Sequence, residues 1–249
     1  MALSQRAQGE IDHGKILATG DTELIWGWGR PAGQLRAKRR AELIAQGAGL
    51  RIGMRVLEIG CGTGMFTEIF ALSGAQIVGV DISPDLLAKA RARNLPQDQV
   101  RFFNKRFEDC DVDGPFDAVI GSSILHHLEI VSALAKIHSL LKPGGRLSFA
   151  EPNMLNPQVF LERKLAFIRP LFWYVSPDET AFMRWSMRTL LLKAGFENVT
   201  IVPFDWLHPH TPPPLMGVVN GMGRWFERVP GLREFSGSLR ILGRRPLKG

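Results

Sequence analysis

The stretch Val56-Leu57-Glu58-Ile59-Gly60-Cys61-Gly62-Thr63-Gly64 decides how this chain is read. Its first residues form a short apolar, β-rich run, and its last five place glycine at every second position. A strand that meets glycines in this way turns sharply, and the missing side chains let a ligand approach the backbone. Met65 to Ser73 then reads as helix, so the segment is a strand, a glycine turn and a helix. The next apolar and β-branched run, Gln76 to Asp81, ends on a carboxylate 21 residues after Gly60. A carboxylate at that place can accept hydrogen bonds from both hydroxyls of a ribose.

The same rhythm continues outward. Ser83 and Pro84 read as the cap and first position of a helix reaching about Arg93. Val100 to Asn104, Phe116 to Gly121 and Arg146 to Ala150 read as strands, with a helix over Ile130 to Leu141 and a turn at Lys142-Pro143-Gly144-Gly145. Several of these strands are apolar on both faces, as a buried parallel sheet requires. Strands separated by single helices predict right-handed crossovers and an α/β layer architecture. Thr180 to Lys193 reads as helix, Asn198 to Phe204 and Ser238 to Leu242 as strands.

Length and composition bound the possibilities. At 249 residues, 45% hydrophobic and 22% charged, the chain has the balance of an ordinary globular protein, which excludes wholesale disorder, collagen and a multi-pass membrane protein. Met1 to Lys15 has no apolar h-region, and two cysteines, Cys61 and Cys110, are too few for a disulfide scaffold. A cytoplasmic protein is the expectation. The net charge is +7, concentrated in residues 224–249 and in the run Arg30, Arg36, Lys38, Arg39, Arg40. Such clusters suit nucleic acid, anionic lipid or an acidic substrate, and suit solvated helix faces better.

The glycine turn discriminates between ligands. A dinucleotide fingerprint, G-x-G-x-x-G/A, needs a small sixth residue, and Met65 stands there. An acid beside the turn, Glu58, suits a ligand carrying an ammonium group and suits a pyrophosphate badly.

With these motifs in place, the chain over about residues 35 to 204 resembles the class I S-adenosylmethionine-dependent methyltransferases. VLEIGCGTG (56–64) followed by GVDIS (79–83) is similar to that family's nucleotide signature, FDAVIGSSILHHL (116–128) to its fourth-strand motif, and LKPGGRL (141–147) to the turn before its fifth strand. The resemblance implies a Rossmann-like, seven-stranded, mostly parallel sheet flanked by helices, with the last strand antiparallel. It implies S-adenosyl-L-methionine as cofactor, with the methionine part near Glu58, Gly60, Gly62 and Gly121 and Cys61 and Gly64 in the same turn. It places the ribose at Asp81 and Ile82 beside the adenine. One run departs from the family pattern: Arg106 stands where an acceptor for the adenine amino group is usual, leaving Phe107, Glu108 or Asp109 to serve.

Residues 1–50 are expected to form an N-terminal helical cap and 51–249 the methyltransferase domain, with cap insertions at about 151–179 and 205–235. Trp26, Trp28 and His208 are candidates for holding the acceptor. His126 and His127 are candidates for a general base, because an imidazole titrates near neutrality. Adjacent histidines on a helix do not share a face, so no metal site is expected there. Leu215, Val218, Val219, Met222, Trp225, Phe226 and Val229 recur at three and four residues as one apolar helix face, with Arg224 and Arg228 outside it. Such a helix packs on the core, closes over an apolar substrate or lies on a membrane surface.

The expected activity is methyl transfer to a small, apolar or lipid-like acceptor, at oxygen in preference to carbon or nitrogen. A peripheral membrane enzyme acting on a lipid or quinone, an RNA methyltransferase and a non-catalytic cofactor-binding module are the other readings the sequence leaves open.

Overall fold

Alternating strand and helix patterns call for parallel strands, because a tight turn can join only antiparallel ones. The computed structural model describes residues 5–164 and 181–247. Among them, β1 (Arg55–Ile59), β2 (Gln76–Asp81), β3 (Val100–Asn104), β4 (Phe116–Ser122), β5 (Leu141–Pro152), β6 (Glu197–Phe204) and β7 (Ser238–Arg244) form one sheet, in the order β3-β2-β1-β4-β5-β7-β6. β1 pairs in parallel with β2 and β4, β2 with β3, and β4 with β5. β7 slots between β5 and β6 and runs antiparallel to both. The seven-stranded sheet with an antiparallel last strand is what the family resemblance implied.

The helices are α1 (Gln5–Ala18), α2 (Thr22–Ile25), α3 (Pro31–Ala48), α4 (Met65–Ala71), α5 (Pro84–Arg91), α6 (Ile130–Leu140), α7 (Pro157–Lys164), α8 (Arg184–Lys193) and α9 (Pro213–Phe226). Successive residues of β1 face opposite layers, as the strand's period of two demands. Val56 joins Ile44 of α3 and Phe70 of α4 in one core layer. Leu57 joins Leu134 and Ile137 of α6 and Leu191 of α8 in the other. Each of these side chains is almost completely buried, worth roughly 1.5–3 kcal/mol apiece in transfer from water.

Several boundaries differ from the sequence reading. α3 begins at Pro31, since proline at the first helical position needs no amide donor and has φ preset. α1 lies within the N-terminal segment expected to be helical, although half of its residues are polar and two are glycines, which weakens its periodicity. The Lys142–Gly145 turn is absorbed into β5, where Leu141 pairs with Phe116 across a register shift. α8 is described from Arg184; Thr180 and the apolar stretch 165–175 lie outside the described residues.

Of the basic run, Arg30 and Lys38 are exposed as expected, whereas Arg36, Arg39 and Arg40 turn inward to partners. Nε of Arg36 lies 2.9 Å from Asp205, and Arg39 takes both carboxylate oxygens of Glu227 at 2.7 and 2.5 Å. Arg40 is only 2% exposed and donates to Ser122, Ser123 and Ser238 and to the Ala150 carbonyl at 2.6 Å. Burial lowers its pKa to about 10, with Asp205 and Glu151 opposing, so it stays charged at neutral pH. It ties together the carboxyl end of β4, the end of β5 and the start of β7. No helix among the described residues is long and apolar enough to cross a membrane.

Candidate active site

In an open parallel sheet, ligands bind where the strand order reverses, outside the carboxyl ends of the strands. Here the reversal falls between β1 and β4. A cavity of about 550 Å³ opens at that point, reached by the ends of β1, β2, β4 and β5.

The glycine turn forms its floor. Gly60, Cys61 and Gly62 line the cavity, and Gly62 has φ of +50°. A Cβ built on Gly62 would lie 3.3 Å from the Trp26 ring, so the turn and the indole face each other closely. Asp81 is clamped to this turn: Oδ2 accepts the Gly62 amide at 2.8 Å and Oδ1 the Ser83 amide at 2.9 Å. Burial raises the Asp81 pKa, and the two amides oppose that rise. Burial also pushes the Cys61 thiol well up, with Asp81 and Glu58 adding to it, so Cys61 fills space without thiolate character.

Ile82, Phe107 and Glu108 extend the cavity along the neighbouring strand ends, the latter two on a one-turn 3-10 helix, Phe107–Asp109. Asp109 is engaged by Nε of Arg106 at 2.9 Å.

Three of the residues expected to hold the cofactor are not on the cavity wall. Glu58 is buried behind the turn, where Thr67 donates to it at 2.7 Å and burial pushes its pKa up to about 8. Gly64 caps α4. Gly121 is kept small by packing, since a Cβ there would lie 2.6 Å from the Phe149 ring and 2.8 Å from the Ile59 carbonyl oxygen.

The histidines sit on a second 3-10 turn, Leu125–His127, that follows β4, and both line the cavity. Nδ1 of buried His126 lies 2.6 Å from Oε2 of Glu151, at the end of β5. The other Glu151 oxygen accepts the Ile124 and Leu125 amides, each at 2.9 Å. Burial alone would raise the Glu151 pKa; His126 and the two amides overcome it and hold the carboxyl below its ordinary value. His127 meets Glu10 of α1 at 3.0 Å. Glu151 and Glu10 were not singled out from sequence. An acid closing the apolar strand Leu147–Ala150 was a signal for the first.

The N-terminal helices close one side of the cavity. Lys89 of α5 donates to the Gly20 carbonyl at 2.7 Å and to Thr22 at 2.8 Å, and Arg93 pairs with Glu23 of α2. Trp26 and Trp28 line the cavity just beyond α2, and Trp28 meets Phe66 edge-on at 5.7 Å. His208 does not line it; its ring accepts the His210 amide at 3.2 Å on an exposed loop. Nothing in the 205–235 segment lines it either. Among the described residues no three His, Cys, Asp or Glu side chains gather as a metal-ligand group.

Comparison with known proteins agrees with this architecture. Residues 57–147 match the family described as a methyltransferase domain. A ubiquinone biosynthesis O-methyltransferase of Xanthomonas axonopodis pv. citri is 38% identical over 105 residues, covering 41% of this chain and 44% of that protein. The chain thus spans under half the length of the curated relatives it matches. Among solved structures, the N-methyltransferase NodS from Bradyrhizobium japonicum, in complex with S-adenosyl-L-homocysteine, superposes with a TM-score of 0.57 at 18% identity, over 87% of this chain and 89% of that one. An S-adenosylmethionine-dependent methyltransferase from Mesorhizobium loti gives a TM-score of 0.59 at 17% identity, over 81% of this chain and 95% of the other. Residues 57–147 thus match a methyltransferase domain, and the chain shares the fold of S-adenosylmethionine-dependent methyltransferases.

Proposed function

We propose that this protein transfers the methyl group of S-adenosylmethionine to a hydroxyl of a small, apolar or lipid-like acceptor, with His126 as the general base. The observation that carries the reading is His126 on the wall of the cavity, backed by the buried Glu151 at 2.6 Å.

The residues present fit the cofactor. Each Asp81 oxygen accepts one amide and keeps a lone pair for a ribose hydroxyl. Gly60 and Gly62 bring no side chain to a cavity whose volume is within the roughly 300–1,000 Å³ of small-molecule sites. Gly60 and Gly62 would hold the methionine part, Asp81 the ribose, and Ile82, Phe107 and Glu108 the adenine. When bound, the cofactor supplies a methyl group on a sulfonium that departs as a neutral thioether.

The remaining chemistry belongs to the chain. Glu151, whose pKa is held below its ordinary value, pairs with Nδ1 of His126 and orients the ring for Nε2 to act as the proton acceptor. That nitrogen takes the proton of the acceptor hydroxyl as its oxygen attacks the methyl carbon, and the carboxylate steadies the imidazolium that forms. An amine already deprotonated, or a carboxylate, needs no such base. Trp26, Trp28 and Phe66 supply apolar walls and exclude water from the reacting atoms. The relatives' name, an O-methyltransferase of ubiquinone biosynthesis, supports a hydroxyl on a quinone-like ring.

The test is transfer from radiolabelled S-adenosylmethionine by the full chain to matched phenol, catechol, amine and carboxylate acceptors. Phenols or catechols are expected to be methylated, with a rate that falls at acid pH. Cofactor binding without transfer to any of them would identify a non-catalytic binding module, and exclusive labelling of amines or carboxylates would remove His126 from the role of base.

A further inference from the structure

α9 turns its apolar face outward. Leu215, Val218, Met222 and Trp225 recur at three and four residues and so share one side of the helix, where they are 53, 63, 52 and 58% exposed. The helix rests on the body at Gly223, its buried residue, and at Phe226, whose ring meets Trp206 at 5.2 Å. Its one charged residue is Arg224. A helix packed on a protein core has the opposite arrangement, apolar side in and polar side out.

Beside that face lies a second cavity, of about 250 Å³, between α9, α3 and the edge strand β6. Leu43, Val202 and Phe204 form its apolar wall, and Arg224, Arg228 and Arg240 reach into it. Its carboxylate, Glu227, is occupied by both terminal nitrogens of Arg39. Among the described residues, Arg224, Arg228 and Arg240 have no acidic partner, and Nε of Arg240 is buried without a hydrogen bond. A buried guanidinium nitrogen left unbonded is costly, and an anion in this cavity would satisfy it.

We propose that α9 and this arginine cavity form a docking surface for an anionic bilayer. Leu215, Val218, Met222 and Trp225 enter the boundary between headgroups and acyl chains, and Arg224, Arg228 and Arg240 take a headgroup phosphate. An apolar stripe flanked by arginines is what an interfacial helix needs, and the chain's +7 charge reinforces the attraction. A second copy of the chain suits the surface less well, because a two-fold contact would bring the same arginines together. The proposal does not depend on the methyl-transfer reading, and its test needs no turnover.

The test is flotation of the full chain with vesicles of phosphatidylcholine alone and of phosphatidylcholine enriched in phosphatidylglycerol, at rising salt. Binding is expected to require the anionic lipid and to weaken with salt. Each of Arg224→Gln, Arg228→Gln and Arg240→Gln should lower the partition coefficient about fivefold, the loss for one basic residue near an anionic surface. Val218→Glu with Met222→Glu, both at exposed positions, should abolish flotation while leaving the melting temperature unchanged. Undiminished flotation of these variants would overturn the proposal. So would binding of inorganic phosphate at the three arginines without vesicle binding, or a dimer that Val218→Glu dissociates.

Discussion

Nδ1 of His126 lies 2.6 Å from Oε2 of Glu151, although the two residues are 25 positions apart in the chain. The contact joins the turn after β4 to the end of β5, and two amides from the same turn grip the other carboxylate oxygen. The pair is therefore fixed and buried, with His126 at the cavity wall and Glu151 behind it. Replacing His126 by Asn should lower kcat by about two to four decades, the range for loss of a positioned base, with cofactor affinity retained. Glu151→Gln should produce a smaller loss and a shift of the acid limb of the pH–rate profile, which a structural role alone would not move. Single-turnover kinetics and calorimetry with the cofactor separate the two effects.

Asp81→Ala should weaken S-adenosylmethionine binding by one to two decades, from loss of roughly 1.5–3 kcal/mol of hydrogen bonding to a charged group. Calorimetry checks it; unchanged affinity would remove Asp81 from the site.

Gly62 and Gly121 predict different phenotypes. Gly62→Val sets a branched side chain against Trp26 across the cavity floor, at a φ of +50° that strains it, and should abolish cofactor binding in a domain that still folds at a lower melting temperature. Gly121→Ala collides with Phe149 and the Ile59 carbonyl and should lower the melting temperature by several degrees, before any effect on the ligand. Thermal melts with and without the cofactor distinguish them.

Glu58 titrates at about 8 in the folded protein against an ordinary value of 4.5. The folded state therefore holds this proton more tightly than the unfolded chain. Stability from Glu58 is complete below pH 4.5 and is lost as pH rises through 8. Glu58→Gln does not titrate and keeps an acceptor for Thr67. Its melting temperature should draw ahead of the parent's from about pH 5 and reach its full lead above pH 8. A constant difference across that range would contradict the assignment.

Arg40→Ala leaves the Ala150 carbonyl and three serine hydroxyls without their buried donor. It should cost about 3 kcal/mol, measured by urea denaturation, and should loosen the ends of β4, β5 and β7 together.

Much of the framework was legible because local pattern suffices for it. The glycines at 60, 62 and 64, the carboxylate closing β2, and strands apolar on both faces are short-range features, and they place the ligand cleft before any tertiary contact is known. α1 was less legible, since its polar composition gives weak periodicity, and its place comes from docking beside α5. The pairing of Arg39 with Glu227 spans 188 positions, and no local pattern announces it.

The sequence by itself determined the layer architecture, the glycine turn and the aspartate beside it, because backbone turns and strand periodicity are properties of neighbouring residues. Only the tertiary structure decided that Glu151 orients His126, that Arg40 is a buried tie rather than a surface charge, and that α9 shows its apolar side to solvent. Each depends on which strand ends lie side by side and on what covers a helix face, and those relations exist only once the sheet has assembled.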